Sequence, residues 1–223
     1  MSVNQHRRSF FAAIGSLAGL GAIRASAQTA SQTPAQPLAR AAAPWDLTWL
    51  EAFKGRHKQI FDFGSFNLEE DPRPLRFVRN YLETFHDVFG LSHPDINTAV
   101  GISGPAFAIN ASDALWKKYK FGERWKIPDP QTSKPAVRNL FLDEATAGTG
   151  LSVPALQARG TVFWQCNVAL GGLAAQLAQA FQAPVAEVRA ELVAGLNPGV
   201  RLVPSHVMAV GLIQEHGFTY AKV

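Results

Sequence analysis

Cysteine is almost absent from this chain: Cys166 stands alone among 223 residues. A single thiol cannot form an internal disulfide, so no crosslink within the chain holds the fold. The same scarcity excludes CxxC redox pairs, thiolate zinc clusters and CxxCH haem attachment. Several chemistry-bearing patterns are missing as well. There is no GxGxxG turn, phosphate loop, GxSxG elbow or HExxH helix, which removes the sequence signatures of dinucleotide binding, P-loop nucleotide binding, serine-hydrolase and zincin chemistry. Beyond residue 27 no apolar stretch is long enough to make a convincing membrane span, and no internal repeat is visible.

What is present begins with an export pattern. Arg7 and Arg8 precede Ser9-Phe10-Phe11, a weakly apolar run continues to Ile23, and Ala25-Ser26-Ala27 offers small residues for a signal peptidase. The run is shorter than a bilayer-spanning helix and fits a signal h-region. Paired arginines directly before Ser-Phe-Phe resemble the twin-arginine motif, so residues 1–27 are expected to be a twin-arginine-type signal and the mature protein periplasmic. On this reading, membrane contact comes only through an uncleaved signal. Arg7, Arg8 and Arg24 sit in this segment with no acid beside them, so their removal takes the formal charge of +4 down to +1. The high pI of about 9.4 therefore belongs largely to the signal and does not argue for nucleic-acid binding, which needs a basic patch on the folded domain.

Residues 28–43 are polar and rich in alanine and proline, a composition expected to form a disordered linker. From residue 44 the chain reads as one domain. Trp45 to Phe53 has helical spacing. His57–Gly64 reads as a strand, and Arg73–Phe89 as an amphipathic helix with Leu75, Val78, Leu82, Phe85 and Phe89 on one face. A second strand is expected over Asn97–Ser103 and a second helix over Ala111–Lys120. Residues 121–150 lack a period and contain Pro128, Pro130 and Pro135. They are expected to be a long surface excursion with one short element near Val137–Leu142. Ser152 is an N-cap for a helix through Ala158. A strand over Thr161–Cys166 then precedes helices over Val168–Phe181 and Val185–Leu196. The remaining elements are a strand over Val200–Val203, a helix over Val207–His216 and a strand over Phe218–Ala221. Alternating strands and helices predict an α/β fold with a mostly parallel sheet and helices on both faces.

In such a sheet, sites lie outside the carboxyl ends of the strands. Those ends are Gly64-Ser65, Ser103-Gly104, Cys166-Asn167 and Ser205-His206. Cys166 closes an apolar strand and opens a helix, whose positive end favours a thiolate; the position equally suits a small buried packing residue. His206 opens another helix, where it could assist a thiolate, bind an anion or simply cap. Ser205 suits the N-cap of that helix. Ser65, Ser103, Gly104, Asn167 and Ser205 are the candidate ligand-binding positions, with Cys166 and His206 the candidate catalytic pair. His86, His93 and Asp95 cluster in sequence without matching a metal-binding spacing, so neither metal nor cofactor is assigned. The basic-aromatic stretch from Lys117 to Lys126 reads as a solvated loop rather than a single-strand-binding surface.

The C-terminal half carries a more specific pattern. Arg159-Gly160 leads an apolar strand ending in Cys166-Asn167, followed by Ala169-Leu170. Pro198-Gly199-Val200 and Val203-Pro204-Ser205 follow, then Gln214-Glu215-His216-Gly217-Phe218-Thr219-Tyr220. Over residues 57–223 this resembles the DsrE/DsrF-like family, in particular its exported branch. The resemblance implies a three-layer α/β fold with about five strands and subunits that are often oligomeric, so a homo-oligomer is expected. It also implies a cysteine at the end of a central strand that carries sulfur as a persulfide, and Cys166 is the matching position. The expected partner is a thiol or persulfide protein, with Asn167 and the following helix N-terminus stabilising the anion. A non-catalytic small-ligand-binding domain and an oligomeric envelope scaffold remain the alternatives.

Overall fold

The computed structural model describes residues 45–64, 67–71 and 73–223. The expected signal over residues 1–27, the expected linker over residues 28–43, and Ser65 lie outside the described residues. In chain order the elements are a 3-10 turn Thr48–Ala52, β1 His57–Phe63, α1 Arg76–Phe89, β2 Ile96–Ile102 and a 3-10 turn Gly104–Ala106. The short helices α2 Phe107–Asn110, α3 Asp113–Tyr119, α4 Phe121–Arg124, α5 Glu144–Ala147 and α6 Val153–Ala158 follow. The chain continues with β3 Val162–Cys166, α7 Asn167–Phe181, α8 Val185–Ala194, β4 Arg201–Val203, α9 His206–Glu215 and β5 Thr219–Lys222.

All five strands pair in parallel, in the order β4-β3-β2-β1-β5. This order dictates the layers. From β1 to β4 each step goes to the next neighbour on the same side, and right-handed crossovers put every intervening helix on one face. The connection from β4 to β5 must travel back across the sheet, so α9 lands on the opposite face. The two apolar cores agree. The larger contains Val78 and Leu82 of α1, Trp116 of α3 and Leu170, Leu173 and Leu177 of α7. The smaller contains Trp49, Leu50 and Phe53 around the first 3-10 turn, Ala209 and Ile213 of α9, and Phe218.

Side chains alternate between these layers along each strand. Phe61 and Phe63 enter the larger core and Ile60 the smaller; Val100 and Ile102 oppose Ala99; Phe163 opposes Trp164. Asp62 shares the parity of Ile60, and Cys166 that of Trp164, so both belong to the face that α9 covers. The chain leaves β3 toward one face, through α7, and leaves adjacent β4 toward the other, through α9. The point where neighbouring strands feed opposite faces is the topological switch point, where α/β sheets place their sites. Cys166 ends β3 there, and Ser205-His206 follows β4.

The expected α/β class with helices on both faces is therefore present. Residues 121–150 differ from expectation. Far from being a surface excursion, they bury Phe121, Ile127, Ala136, Phe141 and Ala147, most of them in the larger core. No helix or strand forms over Val137–Leu142. Instead the Asn139 amide donates to the carbonyls of Ile109 and Ala111 and accepts from Phe141 N–H. A buried side chain thus satisfies backbone groups that regular structure would otherwise pair.

Candidate functional site

β3 passes into α7 without a loop: Cys166 is both the last strand residue and the helix N-cap. Its sulfur takes the place usually held by a serine or aspartate oxygen, accepting the Ala169 N–H at 3.4 Å. A second donor comes from α9, whose first residue, His206, points its backbone N–H at the same sulfur at 3.2 Å. The N-termini of two helices, 15 and 10 residues long, thus converge on one sulfur. Both helices direct partial positive charge there. The residue is enclosed, at 4% exposure.

The His206 side chain does something different from its backbone. Its Nε2 lies 2.7 Å from Asp62 Oδ1, and its Nδ1 faces the indole N–H of Trp164 at 3.3 Å. Indole can only donate, so Nδ1 must accept. The partners therefore select the neutral imidazole with its proton on Nε2, donated to the carboxylate. Both ring nitrogens are engaged, and the group reaching Cys166 is the backbone amide, not the imidazole.

Asp62 anchors this network. Its carboxylate also accepts the Gly64 N–H at 2.6 Å and the Tyr220 hydroxyl at 2.6 Å. Burial alone pushes the Asp62 carboxyl up. The Tyr220 hydroxyl, the Gly64 N–H and the nearby His206 outweigh it and hold the carboxyl below its ordinary value of 3.8. Reciprocally, the bond to Asp62, followed by burial, raises the Tyr220 hydroxyl above its ordinary value. The network spans β1, β3, α9 and β5, fastening the start of α9 to strands on either side of β2.

Glycine makes room for it. A Cβ on Gly101 of β2 would stand 2.5 Å from the Trp164 ring and 2.8 Å from the His206 ring. Only a bare backbone lets both rings lie over this strand.

The other expected site residues separate. Gly104, with φ of +59°, lines a slot of about 260 Å³ beside α7. The Ser103 hydroxyl donates to the Gly64 carbonyl and ties the ends of β1 and β2. Asn167 Oδ1 accepts from Arg189 of α8 at 2.5 Å. Ser205 stands at the α9 N-cap, but its side chain makes no cap hydrogen bond. Cys166, His206 and Ser205 come together at the switch point, Gly104 is reached through Ala169, and Ser103 has a bracing contact.

Asp62, Trp164 and Tyr220 escaped the sequence reading. One signal was available: Asp62 interrupts the apolar run Ile60-Phe61-Asp62-Phe63, and a charge inside a buried strand requires partners. Nothing local pointed to Tyr220, which is 158 residues from Asp62. Among the described residues, no group of three or more histidine, cysteine, aspartate or glutamate side chains could hold a metal ion. His86 and His93 line a separate cavity of about 290 Å³ with Arg159.

No family model matches the chain, and no curated protein matches it. Among solved structures, a protein of unknown function from Methanobacterium thermoautotrophicum is similar at 14% identity with a TM-score of 0.40. The match covers 75% of this chain and 99% of that one.

Proposed function

We propose that the chain is an exported DsrE/DsrF-like sulfur carrier that holds sulfane sulfur on Cys166 and passes it to a partner thiol. The observation that carries this reading is the pair of backbone N–H groups, from two helix N-termini, directed at the Cys166 sulfur. Fixed donors of this kind stabilise negative charge on sulfur and need no reorganisation when it develops.

The transfer requires no oxidant. The Cys166 thiolate attacks the terminal sulfur of a donor persulfide and the donor S–S bond breaks. The electron pair leaves with the donor thiolate, and Cys166 becomes the persulfide. Passing the sulfur on repeats the exchange with the acceptor thiolate as nucleophile. A lone cysteine suits this chemistry, because no second thiol of the chain can resolve the persulfide into an internal disulfide.

The test is to incubate the protein with a low-molecular-weight persulfide and measure its intact mass, with Cys166→Ser alongside. A gain of one sulfur atom, absent in Cys166→Ser and reversed by a free thiol, is the expected result. The 4% exposure of Cys166 favours a second reading, a non-catalytic small-ligand-binding domain in which the cysteine only caps α7. Alkylation of Cys166 solely after unfolding, with no sulfur gained in the folded state, would end the carrier proposal and leave a ligand-binding or scaffold role in which the cysteine is structural.

A further inference from the structure

The surface between α9 and β5 carries a cavity of about 350 Å³, lined by Asp62, His206, Val207, Val210, Gln214 and Tyr220. Val207, Val210 and Gln214 lie three and four residues apart and form one stripe of α9. The walls are apolar and open to solvent: Val207 is 80% exposed and Tyr220 44%. Valine and tyrosine beside one cavity leave apolar surface for a ligand to cover. Asp62 is the one charged side chain of the lining, since the partners of His206 fix its ring as neutral. The carboxylate accepts from the His206 ring, the Gly64 N–H and the Tyr220 hydroxyl, all of them neutral donors. Two of these bonds fall on Oδ1 and one on Oδ2, so Oδ2 keeps room for another donor. With its carboxyl held below the ordinary value, Asp62 is ionised at neutral pH. No lysine or arginine pairs with it among the described residues. Lys222, in register with Asp62 on β5, is exposed and makes no ion pair with it.

We infer that this cavity binds a small organic ammonium ion with an apolar body. The ammonium donates to Asp62 Oδ2 and supplies the positive charge that the three neutral donors do not. The Tyr220 ring beside it adds cation–π attraction, and the apolar body covers Val207 and Val210. A bare inorganic cation would leave those walls wet, and a neutral ligand would leave the carboxylate without a counter-charge. Cys166 is not in the lining, so this site is independent of the carrier reading.

The experiment is calorimetry on the full chain with benzylammonium and, as its neutral counterpart, benzyl alcohol. Benzylammonium is expected to bind, and benzyl alcohol at least about tenfold more weakly. Gln214→Lys brings an ammonium into the cavity from an exposed position in the last turn of α9, where a cation also suits the helix end. It should weaken benzylammonium binding at least about tenfold with no fall in melting temperature. Tyr220→Phe keeps the ring and releases Oδ2 from its bond, so it should bind benzylammonium at least as tightly as wild type. Asp62→Asn should reduce benzylammonium to the level of benzyl alcohol; circular dichroism checks its folding, and Gln214→Lys decides if it does not fold. Absence of benzylammonium binding, equal binding of the two probes, or binding indifferent to Gln214→Lys overturns the inference. Weaker binding in Tyr220→Phe also overturns it, because the ligand would then sit on the hydroxyl and not on the carboxylate.

Discussion

At the scale of single residues, the chemistry around Cys166 is arranged by neutral hydrogen bonds on one side and a half-buried carboxylate, Asp62, on the other. Because Asp62 is held below its ordinary 3.8, its contribution to stability is fully present above that value. It is lost as pH falls through the lower folded value. Acid titration of stability should therefore show a decline at and below about pH 4 that Asp62→Asn shares less, while Asp62→Asn is the less stable protein at neutral pH. Equal acid slopes in the two proteins would mean that Asp62 gains nothing from its partners. The sulfur makes a second prediction possible. Serine keeps an acceptor for the Ala169 N–H, whereas alanine removes it. Cys166→Ala should be less stable than Cys166→Ser by about 1 kcal/mol in denaturant titration, the usual worth of an N-cap side chain. A Cys166→Ser protein that is unfolded would instead show that sulfur's size, and not its acceptor role, is what the position needs.

At the scale of elements, two glycines make opposite predictions. Gly172 lies inside α7 with open space where a Cβ would be, so Gly172→Ala should stabilise by about 0.5–1 kcal/mol through helix propensity. Gly101 lies in β2 beneath Trp164 and His206; Gly101→Ala should destabilise by about 1–3 kcal/mol by pushing those rings off the sheet. Melting temperatures of the two variants should move in opposite directions. Such sites mark the limit of what the sequence could tell. The five strands and the long helices were legible because short apolar runs bounded by turn residues and 3.6-residue spacing are local signals. Ser152 was legible for the same reason, and its hydroxyl accepts the Ala155 N–H as an N-cap should. Residues 121–150 were not. Their order depends on Asn139 reaching carbonyls 28 and 30 residues away, and no local period encodes such a contact. Cys166 could be read from its place at a strand end, but the second donor on its sulfur, 40 residues further on, could not.

At the scale of the whole molecule, strand order decides where everything sits, and it too was invisible locally. The sequence reading contained five strands without an order. Only the return of β5 to the far side of β1 sends α9 across the second face, brings Tyr220 to Asp62 and makes the ends of β3 and β4 a switch point. One consequence is testable on the intact fold. β1, β2 and β3 each contribute side chains to both cores, and a parallel sheet requires cover on both faces. Loss of the α9 layer would expose Ile60, Ala99, Trp164 and Val203 together, so the smaller core should not melt while the larger survives. Trp49 and Trp164 report on the smaller core, and Trp116 with the partly buried Trp125 on the larger. Denaturant titrations of the double variants Trp116→Phe/Trp125→Phe and Trp49→Phe/Trp164→Phe, each followed by fluorescence and far-UV circular dichroism, should give a single midpoint within each variant. An earlier fluorescence transition in Trp116→Phe/Trp125→Phe, where Trp49 and Trp164 of the smaller core remain, would mean that the α9 layer opens by itself. Cys166 would then lose its second donor in a partly folded state, and its sulfur would become accessible without global unfolding.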